Sequence, residues 1–158
     1  MSKTRELIDE FMASTTVLEP GETVVAAARV MQNAKGRRRI GMAAGLSGAL
    51  GTVVVLSSDR SSDQKSLEHA MQHGFFAVVT NRRLVFVSAS AVRSRPDEVI
   101  GAISRADITA VESGTTRVSL LKLGTATITC SDGSSFFFEF AKPHAEEGLE
   151  LVDALRVS

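Results

Sequence analysis

Four cations stand within five residues, Lys35, Arg37, Arg38 and Arg39, and seventeen uncharged residues, 40–56, follow them. Positive charge beside apolar chain suits three tasks: cradling a phosphate, crossing a membrane, or lying on an anionic surface. A phosphate loop needs two glycines separated by four residues, then Lys and Ser or Thr, because the lysine must reach the outer phosphates. The stretch GLSGALGTV has neither that spacing nor a lysine, and Gly45, Gly48 and Gly51 recur in threes rather than as G-x-G-x-x-G. No nucleotide is expected. As a helix the uncharged run reaches only about 26 Å, at ~1.5 Å per residue, against a hydrocarbon thickness of ~30 Å. Its four glycines, one Ser and one Thr weaken it further.

Surface contact is better supported. Each basic residue near an anionic leaflet contributes about 1 kcal/mol, which gives ~4 kcal/mol for the cluster. Burying Ile40, Met42, Leu46 and Leu50 from one helical face would add ~1.5 kcal/mol or more per side chain. The competing expectation is structural. Gly41 and Gly45 are four apart among alanines, a spacing that lets a segment pack closely on the rest of the chain or on another subunit. Packing or self-association ranks first, and membrane contact second.

Other candidate chemistries are thinner. Arg82 and Arg83 flank a turn and could meet phosphate or acidic protein, although solvated turn charges are the plainer reading. Glu68, His69 and His73 share a predicted helix, but their order is E-H-x-x-x-H and not the H-E-x-x-H that places a general base beside zinc, and His144 lies on another element. No metal is expected. No G-x-S-x-G appears, no Cys–His pair is suggested, and Glu146, Glu147 and Glu150 read as a solvated helix face, so no catalytic residue and no cofactor are expected.

The composition agrees. Charged residues make up 23% and hydrophobic ones 44% of 158 residues, which is globular, and Lys plus Arg equals Asp plus Glu at 18 each. A neutral chain without Trp or Tyr lacks both the field and the stacking platform for nucleic acid. A single cysteine, Cys130, rules out an intramolecular disulfide. The opening MSKTRELIDEF does not resemble a signal peptide, so the expected place is the cytoplasm, with contact at the inner face of the membrane as the alternative.

The elements that would position these groups can be read in order. Leu7, Ile8, Phe11 and Met12 recur at helical spacing over 3–15, ended by Glu19-Pro20-Gly21. Residues 22–32 read as a first strand, with the alanine run leaving a helix open. After the basic segment, a helix is expected at 63–73, with a capping box at Ser61 and Gln64 and a left-handed stop at Gly74. FFAVVT (75–80) and RRLVFVSA (82–89) flank a tight turn at Asn81, a residue that tolerates positive φ. Further strands are expected at 98–103, 108–113 and 117–123. In the last hairpin, Ala126, Ile128 and Cys130 alternate with Thr125, Thr127 and Thr129, Asp132-Gly133 suits a type I′ turn, and Phe136, Phe138 and Phe140 return on the buried face with Glu139 outward. Cys130 is thus a small core residue. Pro143 opens a final helix with Glu146 and Glu147 in its first turn and a stripe of Ala145, Gly148, Leu149, Val152 and Leu155.

About seven short strands, most of them in one antiparallel run, closed by one amphipathic helix, resemble a pleckstrin-homology-like barrel. VVTNRRLVF (78–86), ISRADITAVESG (103–114) and ATITCSDGSSFFFEF (126–140) are similar, in that order, to motifs of the bacterial PH-like and GRAM-like domains. The resemblance covers roughly 75–156 together with LEPGETVVAAARV as a first strand. It implies a mainly β fold in one domain, 1–158: an N-terminal helix (1–16), a first strand (22–32), a long insertion (33–74), the remaining strands (75–141) and a capping helix (143–156). It also implies a non-enzymatic binding scaffold. Eukaryotic relatives often hold phosphoinositide headgroups with basic residues on the loop between the first two strands, where this chain has Lys35, Arg37, Arg38 and Arg39. The chain departs from the usual pattern in that strand two, FFAVV, has no basic residue. A sheet holding both 22–32 and 75–80 also excludes a single membrane crossing between them. The expected function is a binding or assembly module engaging a protein partner or itself. The alternative is a peripheral membrane adaptor contacting anionic lipid through 35–56, and an enzyme comes third.

Overall fold

The computed structural model describes residues 2–31, 74–90, 92–118, 120–133, 135–140 and 144–157. The features expected over 33–73, including the helix at 63–73 and its Ser61–Gln64 cap, and the helix start expected at Pro143 lie outside the described residues. Gly74 is described and has φ +90°.

Helix α1 (Lys3–Ser14) begins where the Ser2 hydroxyl accepts the Arg5 N–H, and buries Thr4, Ile8 and Met12, one row spaced by four. The strands β1 (Val24–Val30), β2 (Phe75–Thr80), β3 (Arg83–Ala89) and β4 (Pro96–Ser104) form one antiparallel sheet in sequence order. A 3-10 turn (Arg105–Asp107) leads to β5 (Ile108–Val118), β6 (Leu121–Cys130) and β7 (Ser135–Phe140), a second antiparallel sheet. Helix α2 (Ala145–Arg156) follows. Among the described residues the architecture is a mainly β sandwich of four and three strands with a helix before the first strand and another after the last, which agrees with the mainly β fold expected from the sequence. The sheets join at one corner, where Met31 and Glu139 exchange backbone hydrogen bonds of 3.0 and 2.8 Å.

Period-two patterning explains the layers. Ala26, Ala28 and Val30 face the central core with Phe75, Phe86, Ile128, Phe136 and Phe138. Ala27 faces the other way, onto a second cluster with Ile8, Met12, Phe76, Val78 and Val85. Both faces of β1 are therefore covered, and the alanine run is a strand because small side chains let α1 and α2 approach it from either side. The Phe86 and Phe136 rings lie 5.4 Å apart and bind the two sheets.

Several details differ from the sequence reading. The strands expected at 108–113 and 117–123 are not separate. β5 runs through Gly114 to Val118, which pairs with Leu121, so the reversal falls inside the second expected strand. At Asp132-Gly133 only Gly133 takes positive φ, +84°, whereas a type I′ turn needs it at both central positions. Gly133 N–H bonds the Cys130 carbonyl at 3.0 Å. Asn81 has no positive φ. That turn is made instead by the Thr80 hydroxyl, which accepts the N–H groups of Arg82 and Arg83 at 3.1 and 2.9 Å. Glu139 is buried, 1% exposed, and not outward, since the second face of β7 is also covered. On α2, Leu149 is 59% exposed and Leu151 fully buried. The buried row is Gly148, Leu151, Val152 and Leu155, and Leu149 falls with Glu146, Glu150 and Asp153 on the other side.

Candidate functional site

The sequence nominated Lys35, Arg37, Arg38, Arg39, Ile40, Met42, Leu46 and Leu50, which lie outside the described residues. Their anchorage is described. Val30 pairs with Phe75, so the β1–β2 link leaves and returns at one end of the four-stranded sheet. Phe75 pairs with Ser88 and Ala89 with Pro96, which brings the β3–β4 turn to that same end. Val92 there is 93% exposed, and Arg93 and Arg95 are exposed with no ion-pair partner among the described residues. Backbone bonds shape this turn. Ser90 N–H donates to the Arg95 carbonyl at 2.8 Å, and Ser94 N–H to the Ser90 carbonyl at 3.0 Å, with Ser94 at φ +50°. The sequence reading missed this group. The available signal was Arg-x-Arg directly before Pro96.

Arg82 and Arg83 lie at the opposite end, where Val24 pairs with Thr80. The structure does not bring them to the β1–β2 link. The Arg83 guanidinium forks onto Glu22, Nε to Oε1 at 2.8 Å and Nη2 to Oε2 at 2.9 Å, and Nη2 also donates to the Val17 carbonyl at 2.6 Å. Glu22 further accepts the Thr80 hydroxyl at 2.7 Å and the Glu19 N–H at 2.9 Å. Burial opposes ionisation of this carboxyl. The hydrogen bonds from Arg83, Glu19 and Thr80, with the charge of Arg83, outweigh it and hold the Glu22 pKa down at about 2. The bond to Glu22 raises the Arg83 pKa against the opposing effect of burial. Arg83 is thus committed to an internal ion pair that ties the segment before β1 to the β2–β3 turn. Arg82 reaches Glu19 at 3.0 Å and keeps half of its side chain exposed.

Two grooves flank the edge of β1. One, about 670 Å³, lies at the end of α2 between Val25, Asn81, Ala154 and Val157. Arg105 borders it and donates to the Thr80 and Ala154 carbonyls at 3.1 and 2.7 Å, and also to the Val157 carbonyl, which fastens the last turn of α2 to the sandwich. The other, about 390 Å³, is bounded by Arg5, Ala27, Glu146, Glu147 and Glu150. Arg5 is occupied there by Asp9 and by the Val24 and Val25 carbonyls, both at 2.7 Å. Glu147 pairs with His144 at 3.1 Å. Among the described residues no group of three His, Cys, Asp or Glu side chains could hold a metal; Glu68, His69 and His73 are outside them. Cys130 is buried in the core, 2% exposed. No helix among the described residues is long and apolar enough to cross a membrane.

No protein-family profile matches the chain, and no curated protein does. Among solved structures the chain is similar to a pleckstrin homology domain from Shewanella amazonensis, at 11% identity and a TM-score of 0.44, over 94% of this chain and 92% of that one.

Proposed function

We propose that the chain is a non-enzymatic binding module that engages a protein partner or a second copy of itself. The observation that carries this reading is the division of its charges. The Glu22–Arg83 pair is saturated by internal bonds, while exposed cations with no ion-pair partner among the described residues sit on turns of the β framework, where they serve recognition rather than turnover. The test is light scattering across a concentration series, with and without vesicles: the module gives a mass that rises with concentration and ignores lipid. Measurable turnover at an independently located pocket would overturn it.

A second reading is peripheral attachment to anionic membrane through residues 35–56, in the cytoplasm at the inner face. What favours it is the β3–β4 turn, whose exposed Val92, Arg93 and Arg95 stand at the same end of the sheet as Val30 and Phe75, the strand ends that flank the segment in the chain. Co-sedimentation with anionic and neutral vesicles at two salt concentrations decides between them. The comparison uses the full chain and a form with Lys35, Arg37, Arg38 and Arg39 replaced by Ser. Binding only to anionic vesicles, lost in high salt and in the variant, establishes attachment. Absence of binding retires it.

A further inference from the structure

Among the described residues the β5–β6 hairpin runs past the last β6–β7 pair. The pairing of β6 with β7 ends at Gly124 and Phe140, yet β5 and β6 continue through Thr116 with Leu123, Arg117 with Lys122 and Val118 with Leu121. Three pairs at ~3.3 Å per residue extend about 10 Å past Phe140, the last described residue of β7. At the apex Leu120 is 97% exposed. Just below it, Arg117 and Lys122 are directly opposed, both exposed, and neither has an ion-pair partner among the described residues. Like charges in register weaken a strand pair, and no acidic side chain among the described residues pairs with them. An acidic group from outside would relieve them.

A surface of opposite sign lies on α2. Glu146, Leu149, Glu150 and Asp153 share its outer face at spacings of three and four, with Leu149 59% exposed. Glu146 and Glu150 have no ion-pair partner among the described residues, and Asp153 has only a 4.0 Å contact with Arg156. Each surface therefore has an exposed leucine, beside two cations at the tip and beside mainly acidic groups on α2, where Arg5 borders the same groove as Glu146 and Glu150 but is held by Asp9 and the Val24 and Val25 carbonyls. Both belong to the same end of the three-stranded sheet, because Gly148 of α2 packs on Phe140, the partner of Gly124. They do not pair with each other within the chain.

We propose that the β5–β6 tip of one copy docks on the outer face of α2 in a second copy, with Arg117 and Lys122 against Glu146 and Glu150 and the two leucines in contact. Two such surfaces on one molecule allow a reciprocal contact, in which each tip meets the other copy's helix. This deepens the reading of the chain as a module that engages itself, and it rests on that reading.

The test mixes charge-reversed full-length proteins. One has Arg117→Glu and Lys122→Glu, the other Glu146→Lys and Glu150→Lys, and mass is followed by sedimentation velocity at low salt. Each variant alone is expected to associate about 100-fold more weakly than the parent, since like charges then face each other. Their equimolar mixture is expected to recover association, and Leu120→Ser to weaken the parent about 10-fold. All the changes are on exposed residues, and thermal melting confirms folding. A parent that associates as tightly as both reversed variants overturns this interface while leaving self-association intact. Loss in both without recovery on mixing also overturns it. A parent that stays monomeric at every concentration overturns self-association itself, and vesicle binding abolished by Leu120→Ser in such a monomer assigns the tip to lipid instead.

Discussion

Replacing Glu22 by Gln removes one charge at a fixed position and keeps the shape of the side chain. In the folded protein its pKa stands at about 2 instead of 4.5. At about 1.4 kcal/mol per unit, that difference corresponds to about 3 kcal/mol of stability near neutral pH. The folded value lies below the unfolded one, so the contribution is fully present above pH ~4.5 and is lost as pH falls toward ~2. Glu22→Gln should therefore be about 3 kcal/mol less stable than the parent near pH 7, about half that near pH 3, and close to equal near pH 2. Urea unfolding followed by circular dichroism across that range reads both curves. A gap that stays constant from pH 7 to pH 2 would refute the reasoning, because it would locate the loss in packing and not in the ionised pair. Arg83→Met offers a control. It leaves a buried carboxylate without its cation and should cost about 3–5 kcal/mol near neutral pH.

Gly148→Ala should destabilise by about 1–3 kcal/mol even though alanine is the better helix former by ~1 kcal/mol, because its Cβ would overlap the buried Phe140 ring; the midpoint of thermal melting measures this. On the same helix, Leu151→Ala should cost about 2–5 kcal/mol and Leu149→Ala less than ~0.5 kcal/mol, a contrast that chemical denaturation reads directly. Equal costs would mean that α2 is rotated from the orientation described.

The pattern of single elements was legible in the chain. Alternation placed Ala126, Ile128 and Cys130 on the inner face of β6, and Phe136, Phe138 and Phe140 on that of β7. The spacing of Ile8 and Met12 marked the buried row of α1. Where the reading failed, a neighbour decided. Glu139 and Phe137 look outward by period two, yet both are buried, because covering of the second face of β7 is not written in β7 itself. The phase of α2 could not be read from apolar character, since Leu149 and Leu151 are equally apolar, and the buried row is the one that sets Gly148 against Phe140, where a Cβ would overlap the ring.

The candidate surfaces divide in the same way. The basic segment at 35–39 was evident from composition, as was the arginine pair at 82 and 83. That Arg83 is consumed by Glu22, 61 positions away, could not be read, because strand registry and not local sequence makes the two meet. The opposition of Arg117 and Lys122 depends likewise on where β5 reverses. Periodicity and turn chemistry are local properties, so the sequence by itself determined a mainly β chain with a helix at each end and the faces of most strands. Which charges are internal and which remain for a partner is a property of pairs distant along the chain. Tertiary structure decided it, because only the packed sandwich determines which side chains lose water and which keep it.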